Sequence, residues 1–223
     1  MFVAAELVPA WLSIVLWALL LATCALAARF ADWRALWRVS ARHHLLFGSI
    51  AFCLALWLLK VHTIDGLWIH LLGVTTVTLI IGWRFCVIAG AVATAIYTLL
   101  LGESFAATPV AWLLSVAVPA TVARLLVYLL RRYRGRNLFV YMLGAGFGGG
   151  LLAPLAVAAV ALPLLWLMGQ QAWVEQALES WPLVTLLMFP EGFINGMVIT
   201  TLTVFYPQLV KTFDDEYYLG KAD

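Results

Sequence analysis

The sequence predicts an all-α membrane protein: a polytopic helical bundle of about seven transmembrane helices, N-terminus outside and C-terminus cytoplasmic. Three observations predict it. Of 223 residues, 65% are hydrophobic and 11% charged, with a mean hydropathy of +1.02, whereas a soluble domain is nearer half apolar and a quarter charged. The apolar residues gather into runs close to the ~20 residues that cross hydrocarbon as a helix. The positive charges then collect on one side of that series of runs. A net charge of +2 gives no argument for nucleic acid, so the partner that composition demands is the lipid bilayer.

Candidate spans fall near residues 7–28, 44–59, 67–82, 83–101, 110–130, 138–168 and 182–206, in one bundle over 1–206 with a short cytoplasmic tail over 207–223. In the first, Ala25-Leu26-Ala27 resembles a signal-peptidase site. There is no basic segment before it, Glu6 stands where positive charge is expected, and Leu7–Ala28 is too long, so the run reads as a retained span. The third and fourth runs touch at Gly82-Trp83-Arg84, which predicts a tight hairpin. The sixth is glycine-dense over 144–150 and carries Pro154 and Pro163. One kinked helix and two short crossings both fit its length.

With the N-terminus outside, every Lys and Arg except Lys60 falls on the inner side. Inverting the protein, or splitting the sixth run into two crossings, spoils that asymmetry. Asp65, Glu103, Glu175 and Glu179 fall in outer loops and Glu6 at the outer mouth of the first span, a rim that favours arriving cations. Between Arg29 and Arg42, Trp33 and Trp37 share one helical face while Arg34, Arg38 and Arg42 share the next. This predicts an amphipathic interfacial helix, with a docking surface for an inner-side partner as the alternative. The basic run 131–136 is positive-inside charge that also suits anionic lipid.

A few polar residues need a reason to be where they are. Glu191 lies well inside the seventh run, with Asn195 one turn on along the same face. An intramembrane carboxylate faces the bundle interior and has a partner, as a buried polar or cation-binding position or as a helix–helix hydrogen bond. His62, Asp65 and His70 cluster at the outer loop and the start of the third run, and imidazole and carboxylate suit nickel, cobalt or zinc. The candidate metal-ligating residues are therefore His70, His62, Asp65 and Glu191. A histidine bonded to a backbone carbonyl is the structural alternative for His70. Gly192/Gly196 and Gly144/Gly148 form G-x-x-x-G pairs, repeated by Gly146/Gly150, which let helices approach closely. The glycine run lacks the Lys-Ser/Thr of a phosphate loop. Ser13, Ser49 and Ser115 have no credible base near them in sequence, and no G-x-S-x-G or H-E-x-x-H occurs, so no enzyme is predicted. Cys24, Cys53 and Cys86 are scattered through apolar runs and read as small core residues.

Three stretches together resemble the substrate-specific membrane components of energy-coupling-factor transporters for cobalt and nickel, the CbiM/NikM type. They are Met1-Phe2-Val3-Ala4-Ala5-Glu6-Leu7-Val8-Pro9; His70-Leu71-Leu72-Gly73-Val74-Thr75 with the run on to Gly82; and Pro190-Glu191-Gly192-Phe193-Ile194-Asn195-Gly196. The resemblance implies a six- or seven-helix bundle in a bacterial inner membrane, with an N-terminal Met-His dipping into it. It implies a divalent metal held by the terminal amine, that first His and the His of the third span. It also implies a transmembrane coupling subunit and two cytoplasmic ATPases as partners, with no permanent cofactor and the metal as transported substrate. Carried over by position, His70 matches a metal ligand and Glu191 a family carboxylate. The pattern is broken at Phe2, where the imidazole is missing, and at 106–115, where the family's Asn and Met are absent.

Overall fold

The structure is a computed structural model that describes residues 2–64, 67–134, 137–179 and 181–219. It is a helical bundle. Among the described residues six helices are long and apolar enough to cross a membrane: Ala10–Phe30, Ser40–Leu58, Trp83–Leu100, Phe105–Tyr133, Val140–Leu167 and Val184–Phe205.

The chain opens with a short strand β1 (Phe2–Val3), and Pro9 then leads into α1 (Ala10–Phe30). A six-residue helix α2 (Trp33–Arg38) follows, capped by the Asp32 carboxylate, which accepts from the Ala35 amide at 3.0 Å. This is the predicted interfacial segment: Trp33 packs edge-on against Phe85, while Trp37 is exposed. The next helix, α3 (Ser40–Leu58), ends at the strands β2 (Lys60–Ile64) and β3 (Leu67–His70). The sheet order is β1-β3-β2, all antiparallel, with Phe2 opposite Trp68 and Lys60 opposite His70. The amino-terminal strand is thus sewn to the strand that opens the third apolar run.

That third run corrects the sequence reading. Residues 67–82 were expected to form a membrane-length span, but β3 is followed by an extended stretch and then an eight-residue helix α4 (Val74–Ile81). Eight helical residues rise only ~12 Å, so the run traverses the bundle as β3, the extended stretch and α4 in series rather than as one membrane-length helix. The break is at Gly73, whose φ of +66° is left-handed, a conformation that an L side chain resists. The hairpin expected at 82–84 is present: Gly82, at φ +82°, alone joins α4 to α5 (Trp83–Leu100).

From Phe105 to Tyr133 the chain is helical in pieces, α6 (Thr108–Trp112), a wider π turn over Leu113–Ala117, and α7 (Val118–Tyr133). Pro119 has no N–H to give the Ser115 carbonyl four residues back, and the ladder widens there. The sixth run is one continuous element, a π segment over Val140–Gly148 passing directly into α8 (Gly149–Leu167). The structure therefore takes the single-helix alternative. After α9 (Gln171–Glu179) comes α10 (Trp181–Phe205), and the chain then returns under the bundle to α11 (Asp215–Leu219).

α10 lies close against α8 and the π segment because glycines face each other. A Cβ on Gly196 would meet the Phe147 backbone at 3.2 Å, one on Gly192 the Phe147 carbonyl at 3.1 Å, and one on Gly150 the Glu191 carbonyl at 2.8 Å. Gly144 faces Leu130 of α7, and Gly148 has its own helix's Leu143 carbonyl nearest. The pair that answers Gly192/Gly196 across the interface is Gly146/Gly150. Cys53 and Cys86 are buried in the core beside Trp57.

Candidate functional site

The extended segment Leu71–Gly73 is where sequence-distant polar groups converge. Glu191 and Asn195 are each 1% exposed. The Leu72 amide donates to Glu191 Oε2 at 2.7 Å, and the Gly73 amide donates to Oε1 at 2.8 Å. Asn195 Nδ2 donates to the same Oε1 at 2.8 Å and to the Glu191 carbonyl at 2.6 Å. Turned the other way, Asn195 Oδ1 accepts from the Thr76 amide at 2.8 Å and the Thr76 hydroxyl at 2.6 Å.

The Gly73 and Thr76 amides are among the donors that the first turn of a helix leaves without an intrahelical partner. Gly73, the residue at the N-cap of α4, has no side chain with which to cap. α10 supplies the cap instead, and a carboxylate at a helix N-terminus is also favoured by the helix dipole. The other end of α4 is closed in the same way. Lys211 N donates to the Ile80 carbonyl at 3.0 Å, and the amide and hydroxyl of Thr212 donate to the Leu79 carbonyl at 3.1 and 2.9 Å. α4 survives as a short buried helix because α10 and the chain after it satisfy both its ends.

His70 ends β3, immediately before this segment, and is 3% exposed. Its Nδ1 lies 2.9 Å from the Leu71 carbonyl, so Nδ1 carries the proton and Nε2 is the acceptor nitrogen. Nε2 faces the Ser115 hydroxyl at 3.5 Å. Trp57 and Tyr97 wall the ring, with centroids 5.5 and 6.4 Å away. Trp57 Nε1 donates to the Leu72 carbonyl at 3.2 Å, and the Tyr97 hydroxyl donates to the Trp57 carbonyl at 2.8 Å. The imidazole is held by the same three-residue segment that Glu191 holds from below.

The four candidate metal ligands are not all placed. Asp65 lies outside the described residues, as does the side chain of His62, whose backbone pairs with Trp68. Glu191 turns both oxygens toward N–H donors, and its visible work is to position the His70 segment. Among the described residues no three His, Cys, Asp or Glu side chains are grouped to hold a metal ion. What remains is one well-oriented imidazole beside a strand, β1, whose antiparallel pairing runs its amino end toward His70.

Sequence reading named Ser115 only to find no base for it, and did not single out Trp57 or Tyr97. Ser115 lies in the π turn ahead of Pro119, which was the only local hint. Trp57 and Tyr97 looked like ordinary apolar-span residues.

Comparison with known proteins gives the context. No curated protein matches the chain. In fold it is similar to a crystal structure described as a transition metal transporter, with a TM-score of 0.70 and 18% identity over 92% of this chain and 93% of that one. It is also similar to a truncated transition metal transporter, with a TM-score of 0.66 and 18% identity over 93% and 98% of the two chains. Residues 3–209 match the CbiM family model, described as the cobalt uptake substrate-specific transmembrane region. The chain is a multi-pass membrane protein and belongs to the CbiM family.

Proposed function

We propose that the chain is the permease-like, substrate-binding component of an energy-coupling-factor transporter that takes up a divalent transition metal of the cobalt or nickel kind. CbiM is a family of transporter components rather than of enzymes, and membership over nearly the whole chain supports the class. The observation that carries the reading is the pairing of β1 with β3, which runs the amino end of β1 toward a buried, tautomer-defined His70. In this reading the amino terminus and His70 supply nitrogen donors, which suit nickel and cobalt. Glu191 positions the segment, and His62 and Asp65 guide cations at the outer rim. The N-terminus is outside, the tail cytoplasmic, the membrane a bacterial inner membrane, and a coupling subunit with two ATPases drives transport.

Equilibrium binding of the purified full chain to nickel, cobalt and zinc tests this. The expected result is one divalent ion per chain, lost in His70→Ala. Binding that is absent, or unchanged in His70→Ala, overturns the metal site.

Phe2 favours a second reading, a membrane scaffold or assembly protein that keeps the fold but has lost metal transport. Co-purification discriminates between them. A coupling subunit and ATPase coming down with the tagged chain supports the transporter, and their absence supports the scaffold.

A further inference from the structure

At the end of the bundle opposite His70, cationic side chains from separate elements converge. A cavity of about 200 Å³ opens beneath the α4–α5 hairpin, lined by Gly82 and Trp83 at the turn, Arg84 of α5, Arg124 of α7, and Lys211 and Thr212 of the returning chain. Its described lining holds three cations and no carboxylate. Arg42 joins Lys211 in the lining of the adjoining cavity. The nearest acid in effect on Lys211 is Asp32, whose carboxylate caps α2. Like charges lining one cavity repel unless an anion lies among them.

Among the described residues each cation is aimed by packing rather than by an ion pair. Arg84 donates to the Phe30 carbonyl, Arg124 stacks 5.2 Å over Trp83, and Lys211 sits 5.2 Å over the Phe85 ring. Those contacts leave most guanidinium N–H groups for another acceptor. The α5 N-terminus opens at the same place, and its N-cap Gly82 makes no side-chain cap. Partial burial and the Arg42 charge hold the Lys211 ammonium below its ordinary value, as expected where a counter-charge is wanted.

Apolar surface flanks the cavity on two sides. Phe30 is 58% exposed beside Arg84, and Tyr128, one helical turn from Arg124 on α7, is also 58% exposed. A ligand with an anionic head and hydrocarbon tails satisfies both surfaces, whereas an acidic peptide satisfies only the first. We propose that the Arg84–Arg124–Lys211 cavity binds the phosphate group of an anionic phospholipid in the leaflet on the basic face of the protein. The site is independent of metal binding at His70.

The full chain, purified in neutral detergent without phosphate, is titrated with phosphatidylglycerol, phosphatidylcholine, inorganic phosphate or an oligoglutamate peptide. Native mass spectrometry and thermal unfolding give the readout. Phosphatidylglycerol should bind preferentially over phosphatidylcholine. Arg84→Gln, Arg124→Gln and Lys211→Gln should each weaken it about fivefold, at roughly 1 kcal/mol per cation near an anionic headgroup. Arg132→Gln, outside the cavity, should leave the preference intact. Inorganic phosphate that competes with the lipid in the wild type alone supports the phosphate site and assigns it a soluble source as well. A preference that survives all three substitutions overturns the proposal, as does stabilisation by oligoglutamate with neither phosphate ligand effective. Should the arginine variants fail to fold, Lys211→Gln in the chain beyond α10 decides the matter in the same way.

Discussion

Glu191 and Gly73, 118 residues apart in sequence, are joined by a 2.8 Å hydrogen bond from the Gly73 amide to Oε1 of the buried carboxylate. It is one of a group that caps α4 from a different helix. The same carboxylate also orders the segment that follows His70.

Glu191→Ala leaves the Leu72 and Gly73 amides buried without that acceptor, and it should cost about 3 kcal/mol, in the range for losing charged hydrogen bonds in the interior. Glu191→Gln keeps one acceptor oxygen and sets an NH₂ among three N–H donors, so it should recover only part of the loss. Thermal unfolding in detergent measures both. With Asn195→Ala, a double-mutant cycle should give a coupling above about 0.5 kcal/mol, and strict additivity would contradict the shared cap.

At the end of the bundle that holds His70, Phe2→His places an imidazole on the strand that pairs with β3. Nickel or cobalt binding should tighten by about tenfold or more, which is ~1.4 kcal/mol for an added donor. Isothermal titration on the two chains makes the comparison, and an unchanged affinity would remove the amino end from the site. Ser115→Ala should weaken binding less than His70→Ala, since its hydroxyl touches Nε2 only at 3.5 Å.

Packing predicts opposite signs at two glycines. Gly150→Ala pushes a Cβ to 2.8 Å from the Glu191 carbonyl and 2.9 Å from Asn195 Cβ, while Gly48 in α3 is exposed with nothing within 4 Å of such a Cβ. Gly150→Ala should destabilise by about 1–3 kcal/mol, and Gly48→Ala should stabilise by about 0.5–1 kcal/mol through helix propensity. Midpoints of thermal unfolding report the sign of each.

Lys211 carries a pH dependence. Its folded value is lowered from 10.5, so between the two values the unfolded chain holds more protons at this position than the folded chain. Stability from this residue therefore rises as pH climbs through the folded value toward 10.5. The wild type should gain on Lys211→Gln across that window, and parallel pH profiles for the two would refute the assignment.

Much of the molecule was legible from local chemistry. Apolar runs bounded by Arg, Trp and Gly mark α1, α3, α5 and α10 within a few residues, because lipid selects composition and helix length together. The turn at Gly82 was legible for the same local reason. The run 67–82 was not, since hydropathy responds equally to a span and to a strand followed by a short buried helix. His70 and Glu191 stood out as polar residues in apolar runs, but their roles differed in a way no spacing reveals.

The sequence by itself determined that this chain is a multi-pass helical bundle, because a chain this apolar must satisfy its backbone within helices. It also determined where Glu191 and His70 lie along the chain. Only the tertiary structure decided what Glu191 does. The donors it accepts belong to backbone amides, which every sequence carries and none advertises, and they come within reach only when facing glycines bring α10 against the π segment and α8, with α4 beside them.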